Sequence, residues 1–177
     1  MLFRSNYRSM VQNRIDNKYP ENTNPYYTIL THSKIDVVNY VIDNNLTEDE
    51  YVAWVDFGYF YNKTSEEFLP TGNIDLTKLD LEKVNICLIN PITDKDSDIM
   101  FTLRYAPEKI GAYFFLANKQ KMKEFQQLCH KWLLIFQEKG IADDEQAIWL
   151  QCYFENSELF KLHVFYGWHR ALKEFSK

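Results

Sequence analysis

Four groups of residues have the types and spacing to do chemistry. The first is the run Tyr51-Val52-Ala53-Trp54-Val55, which carries no charge and is followed at once by Asp56, Phe57 and Gly58. A carboxylate at the carboxyl end of a buried strand sits where open α/β sheets place their ligands. Gly58 would let a backbone or a phosphate come close. The competing reading is that Asp56 only caps the turn that follows. The second is Lys34, which falls on the apolar side of a helical pattern. A cation there either snorkels its amine outward or reaches an anionic ligand.

The third group is Asp143-Asp144-Glu145-Gln146. Asp143 as N-cap with Gln146 three residues on reads as a capping box, and acids in a first helical turn suit the dipole. That leaves Asp144 and Glu145, either of which could serve as a general base. The fourth is His169, next to Trp168, a residue type that packs, faces solvent or binds a metal according to its neighbours. His32, His130 and His163 read as structural. No P-loop, GxGxxG, GxSxG or HExxH motif occurs, so the common nucleotide, hydrolase and zincin signatures are absent.

The elements that must position these residues can be read from periodicity. Asn24-Pro25 looks like an N-cap with proline at the first helical position. From there Tyr26, Leu30, Lys34, Val37 and Val41 make one stripe of a helix running to about Asn44. Tyr51–Val55 reads as a strand covered on both faces, in the middle of a sheet. Residues 61–80 form a polar excursion carrying Pro70-Thr71-Gly72-Asn73. Val84–Asn90, Ile99–Arg104 and Ile110–Leu116 are further strand candidates. Lys119–Lys139 is the clearest helix, with Met122, Phe125, Cys129, Trp132, Leu133 and Phe136 on its apolar face and Gly140 as its stop. A helix then runs from Asp143 to about Phe154, a short strand covers Phe160–Phe165, and Trp168–Phe175 is a terminal helix. Strands mixed with helices around one core indicate an α/β fold.

Composition narrows the class. The chain has 177 residues, 46% of them hydrophobic and 16% aromatic, which excludes a disordered chain and suits one domain over residues 1–177. A net charge of −5 gives no basic footprint, so no nucleic-acid partner is expected. Cys87, Cys129 and Cys152 are three and lack a CxxC pair, which argues for a reducing, cytoplasmic setting. The N-terminal MLFRSNYRSMVQNR is not a signal peptide, and no apolar run approaches the length of a membrane span. A peripheral membrane contact stays compatible with all of this.

Read together, Pro25-Tyr26-Tyr27, Ser33-Lys34 and Tyr51-Val52-Ala53-Trp54-Val55-Asp56-Phe57-Gly58 resemble the HtrL/YibB family of bacterial surface-polysaccharide proteins. That family shows a W-[IV]-D-x-G stretch preceded by a helix bearing S-K. Ile110-Gly111-Ala112-Tyr113-Phe114-Phe115 and Asp144-Glu145-Gln146 also match its plan, and the likeness extends over roughly residues 20–170. The order of elements is similar to the second half of GT-A glycosyltransferases. The resemblance implies a GT-A-like mixed sheet flanked by helices. Family members carry further N-terminal strands before the S-K helix, and this chain, which starts close to that helix, is expected to lack those nucleotide-binding strands.

The activity so implied is transfer of a sugar from a nucleotide-sugar donor to a glycan acceptor, a growing lipopolysaccharide or capsular chain. Asp56 would face the donor pyrophosphate, directly or through Mn2+ or Mg2+. Lys34 and Gly58 would belong to the same donor site, Lys34 by neutralising the pyrophosphate. Asp144 or Glu145 would lie near the acceptor hydroxyl as base, and His169 would complete a metal site with Asp56. Gly58 stands where metal-dependent GT-A enzymes place the second acid of D-x-D. The alternative expectation is a catalytically inactive remnant, or a module that binds glycan or nucleotide.

Overall fold

The computed structural model describes residues 24–59, 70, 72–165 and 168–177. The N-terminal reading, half of the polar excursion over 61–80 and Tyr166-Gly167 lie outside the described residues. Helix α1 (Pro25–Asp43) starts as its sequence demands, with the Asn24 side chain accepting from the Tyr26 N–H and proline in the first turn. Strand β1 (Tyr51–Val55), β2 (Val84–Leu88), helix α2 (Ile99–Tyr105), β3 (Ile110–Asn118), α3 (Lys119–Glu138), α4 (Glu145–Glu155), β4 (Phe160–Val164) and α5 (Ala171–Phe175) follow.

The four strands form one sheet in the order β1-β3-β2-β4. β3 is antiparallel to both β1 and β2, whereas β2 and β4 run parallel, so the sheet is mixed. One face packs Val84, Ile86 and Phe115 against Ile35 and Val38 of α1, Phe125 of α3 and Trp149 of α4. On the other face a smaller cluster gathers Tyr59, Cys87, Tyr113, Phe114, Ala171 and Phe175. This is an α/β fold with helices on both faces of a mixed sheet.

Three local readings are corrected. Tyr51–Val55 is a strand, but it is an outer strand of the described sheet, with Ala53 and Val55 exposed and Trp54 half-buried. An uncharged run reports apolarity and does not say how many faces are covered. Ile99–Tyr105 is a helix and not a strand: the Asp98 carboxylate caps it through the Met100 N–H, and Thr102 and Leu103 are its buried residues. Short apolar runs suit either element, and the cap decides. The buried side of α1 is also rotated from the expected stripe. Thr28, Thr31, Lys34, Ile35, Val38 and Ile42 face inward, while Tyr26 and Leu30 are each 69% exposed.

β3 departs from a regular ladder. Ile86 pairs with Phe115, but the next residue, Cys87, pairs with Gly111, so residues 112–114 have no partner on β2. The same stretch serves β1 instead: Phe114 pairs with Val55, and the Asp56 N–H donates to the Tyr113 carbonyl at 3.0 Å. The irregularity folds the Tyr113 ring back over Gly111, where a Cβ would stand 2.5 Å from the ring. Gly111→Ala should therefore destabilise the protein by about 1–3 kcal/mol, the usual cost of overpacking. Chemical denaturation checks this, and an unchanged midpoint would show that the strand relaxes freely.

His163 of β4 donates from Nε2 to the Asn85 side-chain oxygen at 2.8 Å. Burial, with Lys161 adding to it, pushes its pKa down to about 4. The unfolded chain binds this proton near the ordinary value and the folded chain does not. Stability from this group is therefore full above about pH 6.5 and is lost as pH falls toward 4. His163→Asn should flatten the melting-temperature profile over that window.

Candidate functional site

Three of the expected site residues, Lys34, Asp56 and Glu145, meet at one end of β1. Lys34 reaches inward from the middle of α1, and its side chain is only 10% exposed. Its Nζ lies 2.9 Å and 3.2 Å from the two oxygens of Asp56, 2.7 Å from Glu145 Oε1 and 3.1 Å from the Ala112 carbonyl. Four secondary-structure elements thus converge on one ammonium. The Ala112 carbonyl is available because β3 has left its register with β2 at this residue.

Burial alone would pull the pKa of Lys34 down. The charge of Glu145, then that of Asp56, and the hydrogen bonds that Lys34 donates to both outweigh it, and the net displacement is upward. Lys34 is therefore a cation throughout the physiological range. Its three N–H groups are all taken by Asp56, Glu145 and Ala112.

Asp56 is the open member, with 31% of its side chain exposed against 4% for Glu145. It is held from a second direction by the Trp54 indole, which donates from Nε1 to Oδ1 at 2.7 Å. Residues two apart on a strand share a face, so this contact follows from the spacing W-V-D. Trp54 in turn stacks on Phe115, with centroids 6.4 Å apart and planes 10° from parallel. In a strand covered on both faces Trp54 would be packing alone. Its role in orienting Asp56 is one that the two-residue spacing could have signalled.

Phe57 and Gly58 are exposed beyond the strand end, and a Cβ at Gly58 would meet open space. No described neighbour demands glycine there, which leaves room beside Asp56.

The acidic segment corrects one expectation. The N-cap of α4 is Asp144, not Asp143: its Oδ1 accepts from the Gln146 and Ala147 N–H groups at 3.1 Å and 3.4 Å. Asp143 is buried one residue earlier, its Oδ1 accepting from the Asp144 N–H at 2.9 Å. Three acids in a row fit a cap equally well in pattern, and only the backbone angles of Asp144 place it at the boundary. The cap leaves Glu145 on the inner side of the helix start, against Lys34 and with Asp56.

His32 stands behind this segment and donates from Nε2 to the Asp143 carbonyl at 2.7 Å. Burial holds its pKa below the ordinary value, over the opposing pull of that hydrogen bond, so the ring is neutral. His32 was read as structural, and it supports the turn that presents Glu145.

His169 packs with the smaller cluster, 5.0 Å from the Tyr113 ring, 5.4 Å from Tyr59 and 6.0 Å from Trp168, centroid to centroid. Its φ of 65° is in the left-handed region. Lys34 and α1 belong to the opposite face of the sheet. Among the described residues no group of three or more His, Cys, Asp or Glu comes together as a metal site. Asp56 is a hard oxygen donor suited to Mn2+ or Mg2+ by type, but both of its oxygens already face an ammonium. Among the described residues no helix is long and apolar enough to cross a membrane.

A profile of the family described as "Bacterial protein of unknown function (HtrL_YibB)" matches residues 3–177. The chain is also similar to Protein HtrL of Escherichia coli (strain K12), with 27% identity over 146 residues. The match covers 82% of this chain and 51% of that protein, so the chain spans about half the length of the curated relative it matches.

The cap assignment is open to direct test. Asp144→Ala should lose about 1 kcal/mol of stability, the usual value of an N-cap. Urea denaturation of Asp144→Ala against Asp144→Asn separates the cap from the charge, because Asn caps as well as Asp.

Proposed function

The chain belongs to the HtrL_YibB family, and from the oriented carboxylate of Asp56 we propose that it is a glycosyltransferase-like protein that moves a sugar from a nucleotide-sugar donor to a bacterial surface glycan. The observation that carries this reading is a carboxylate fixed from two sides, by Trp54 and Lys34, yet open on a third. A carboxylate so held presents its free lone pairs in one direction, and the hydroxyls of a ribose or hexose are donors that match it. The exposed Phe57-Gly58 pair leaves space on that side.

Glu145 is assigned to orienting Lys34, since its buried carboxylate accepts from that ammonium at 2.7 Å. Asp144 is assigned to the cap. The GT-A-like arrangement, with nucleotide-binding strands ahead of α1 in longer relatives, is part of the same proposal, as are lipopolysaccharide as acceptor and the cytoplasm as location.

A second reading has its own support. In a catalytically silent module that binds nucleotide or glycan, an ammonium whose N–H groups are all engaged would be a purely structural cation, as Lys34 is here. Binding and turnover separate the two. Thermal melting with a panel of UDP-, GDP- and dTDP-sugars, with and without manganese, should reveal one donor that raises the midpoint. Asp56→Asn should abolish that rise and any transfer while still melting cooperatively. A silent module would keep the rise and hydrolyse or transfer nothing. No response to any donor, or an undiminished response in Asp56→Asn, would sink both assignments of Asp56.

A further inference from the structure

The oxygens around Lys34 Nζ form a cage of a particular kind. Asp56 gives two of them, Glu145 one and the Ala112 backbone one, all between 2.7 Å and 3.2 Å from the nitrogen. Carboxylate and carbonyl oxygens from separate elements, converging on one point, are the donor set with which proteins hold hard divalent cations. The point at their centre is filled by the protein's own ammonium. β3 gives up three pairings with β2 to turn the Ala112 carbonyl toward it, and Gly111 permits the distortion.

We propose that the Lys34 ammonium is the built-in cation of this site and takes the place of a divalent metal. A metal on Asp56 would stand within a few ångströms of a fixed positive charge, an arrangement that is strongly repulsive in a half-buried setting. Glu145 is committed to the ammonium, at 2.7 Å from Nζ and with only 4% of its side chain exposed. The pairing of Asp56 with His169 in a metal site is replaced by this arrangement, in which Asp56 is charge-balanced from within the chain. The absence of a second acid at Gly58 agrees with it. Donor binding is then independent of Mn2+ or Mg2+. That consequence rests on the glycosyltransferase reading, whereas the cation assignment rests on the geometry alone.

The test measures ion binding to the full chain, not sugar transfer. Mn2+ binding is followed by electron paramagnetic resonance and calorimetry, and melting is recorded with Mn2+, Mg2+ or Ca2+. The wild-type chain should bind none of them at Asp56, so that Asp56→Asn changes neither binding nor the ion effect on melting. Lys34→Met removes the ammonium and keeps the length of the side chain. It should be destabilised in chelator, bind Mn2+ at least about tenfold more tightly than wild type, as removal of a nearby unit charge requires, and recover its melting temperature as the ion is added.

The double variant Lys34→Met with Glu145→Gln should lose that gain. Two results would overturn the proposal. One is wild-type Mn2+ binding that disappears in Asp56→Asn, which makes Asp56 a metal ligand beside Lys34. The other is a Lys34→Met chain that takes up no ion, whether folded or not. Failure of every nucleotide-sugar to bind would remove the transferase reading and leave these ion measurements standing.

Discussion

An ammonium cannot be buried without partners, and the partners of Lys34 set the arrangement of much of this protein. Desolvating one lysine is costly enough that a group in its position either loses its proton or collects counter-charges. Here it collects two carboxylates and a carbonyl, from β1, from the start of α4 and from β3. The need to aim Lys34 at that junction fixes how α1 is rotated about its axis. Ile35, Val38 and Ile42 are carried inward with it, and Tyr26, Leu30 and Val37 are turned out. The stripe through Tyr26, Leu30, Lys34, Val37 and Val41 includes the lysine but misses the buried face, which Ile35, Val38 and Ile42 share with it.

The sheet yields to the same requirement. A regular β2–β3 ladder would tie up the Ala112 carbonyl between strands. The jump in register from Phe115 to Gly111 frees it, and the residues released from β2 are those that hold β1 and the backbone of Asp56. Irregularities of this kind next to functional groups are a recurrent way to re-aim a strand. The glycine inside β3 is therefore tied to the position of Lys34 through a chain of contacts: Gly111 to the Tyr113 ring, β3 to Asp56, and Asp56 to the ammonium. Trp54 closes the loop from the other side, stacked on Phe115 and bonded to Asp56.

Which of these features could be read from residue order follows from their range. β1, its end at Asp56, the long α3 and the turn before α4 were legible, because each is signalled within a few residues by charge, period or cap. The meeting of Lys34 with Asp56 and Glu145 joins positions 22 and 111 residues apart, and no local pattern encodes it. What the sequence did carry was the oddity of a lysine on an inward helix face and of acids at two element ends. Ile99–Arg104 reads as a strand because six mostly apolar residues suit a strand or a helix, and the Asp98 cap decides for the helix. The acid run was misplaced by one residue because all its members can cap. The loss of register in β3 depends on the packing of Tyr113 and leaves only one trace, the glycine itself.

Charge bookkeeping at the cluster constrains what can bind beside it. Two carboxylates and one ammonium leave one negative charge, and the accessible part of it is on Asp56. A phosphate placed directly against that oxygen would meet repulsion, and Lys34 has no N–H left with which to offset it. A hydroxyl placed there donates a hydrogen bond to a charged acceptor, the stronger kind. The side of a nucleotide-sugar that suits Asp56 is thus its ribose or its sugar. On the transferase reading the diphosphate would be neutralised by groups outside this cluster. A carboxylate pinned by an indole and an internal cation, and open on one side, is an organised acceptor for polyols, and that chemistry is common to the transferase and binding-module readings alike.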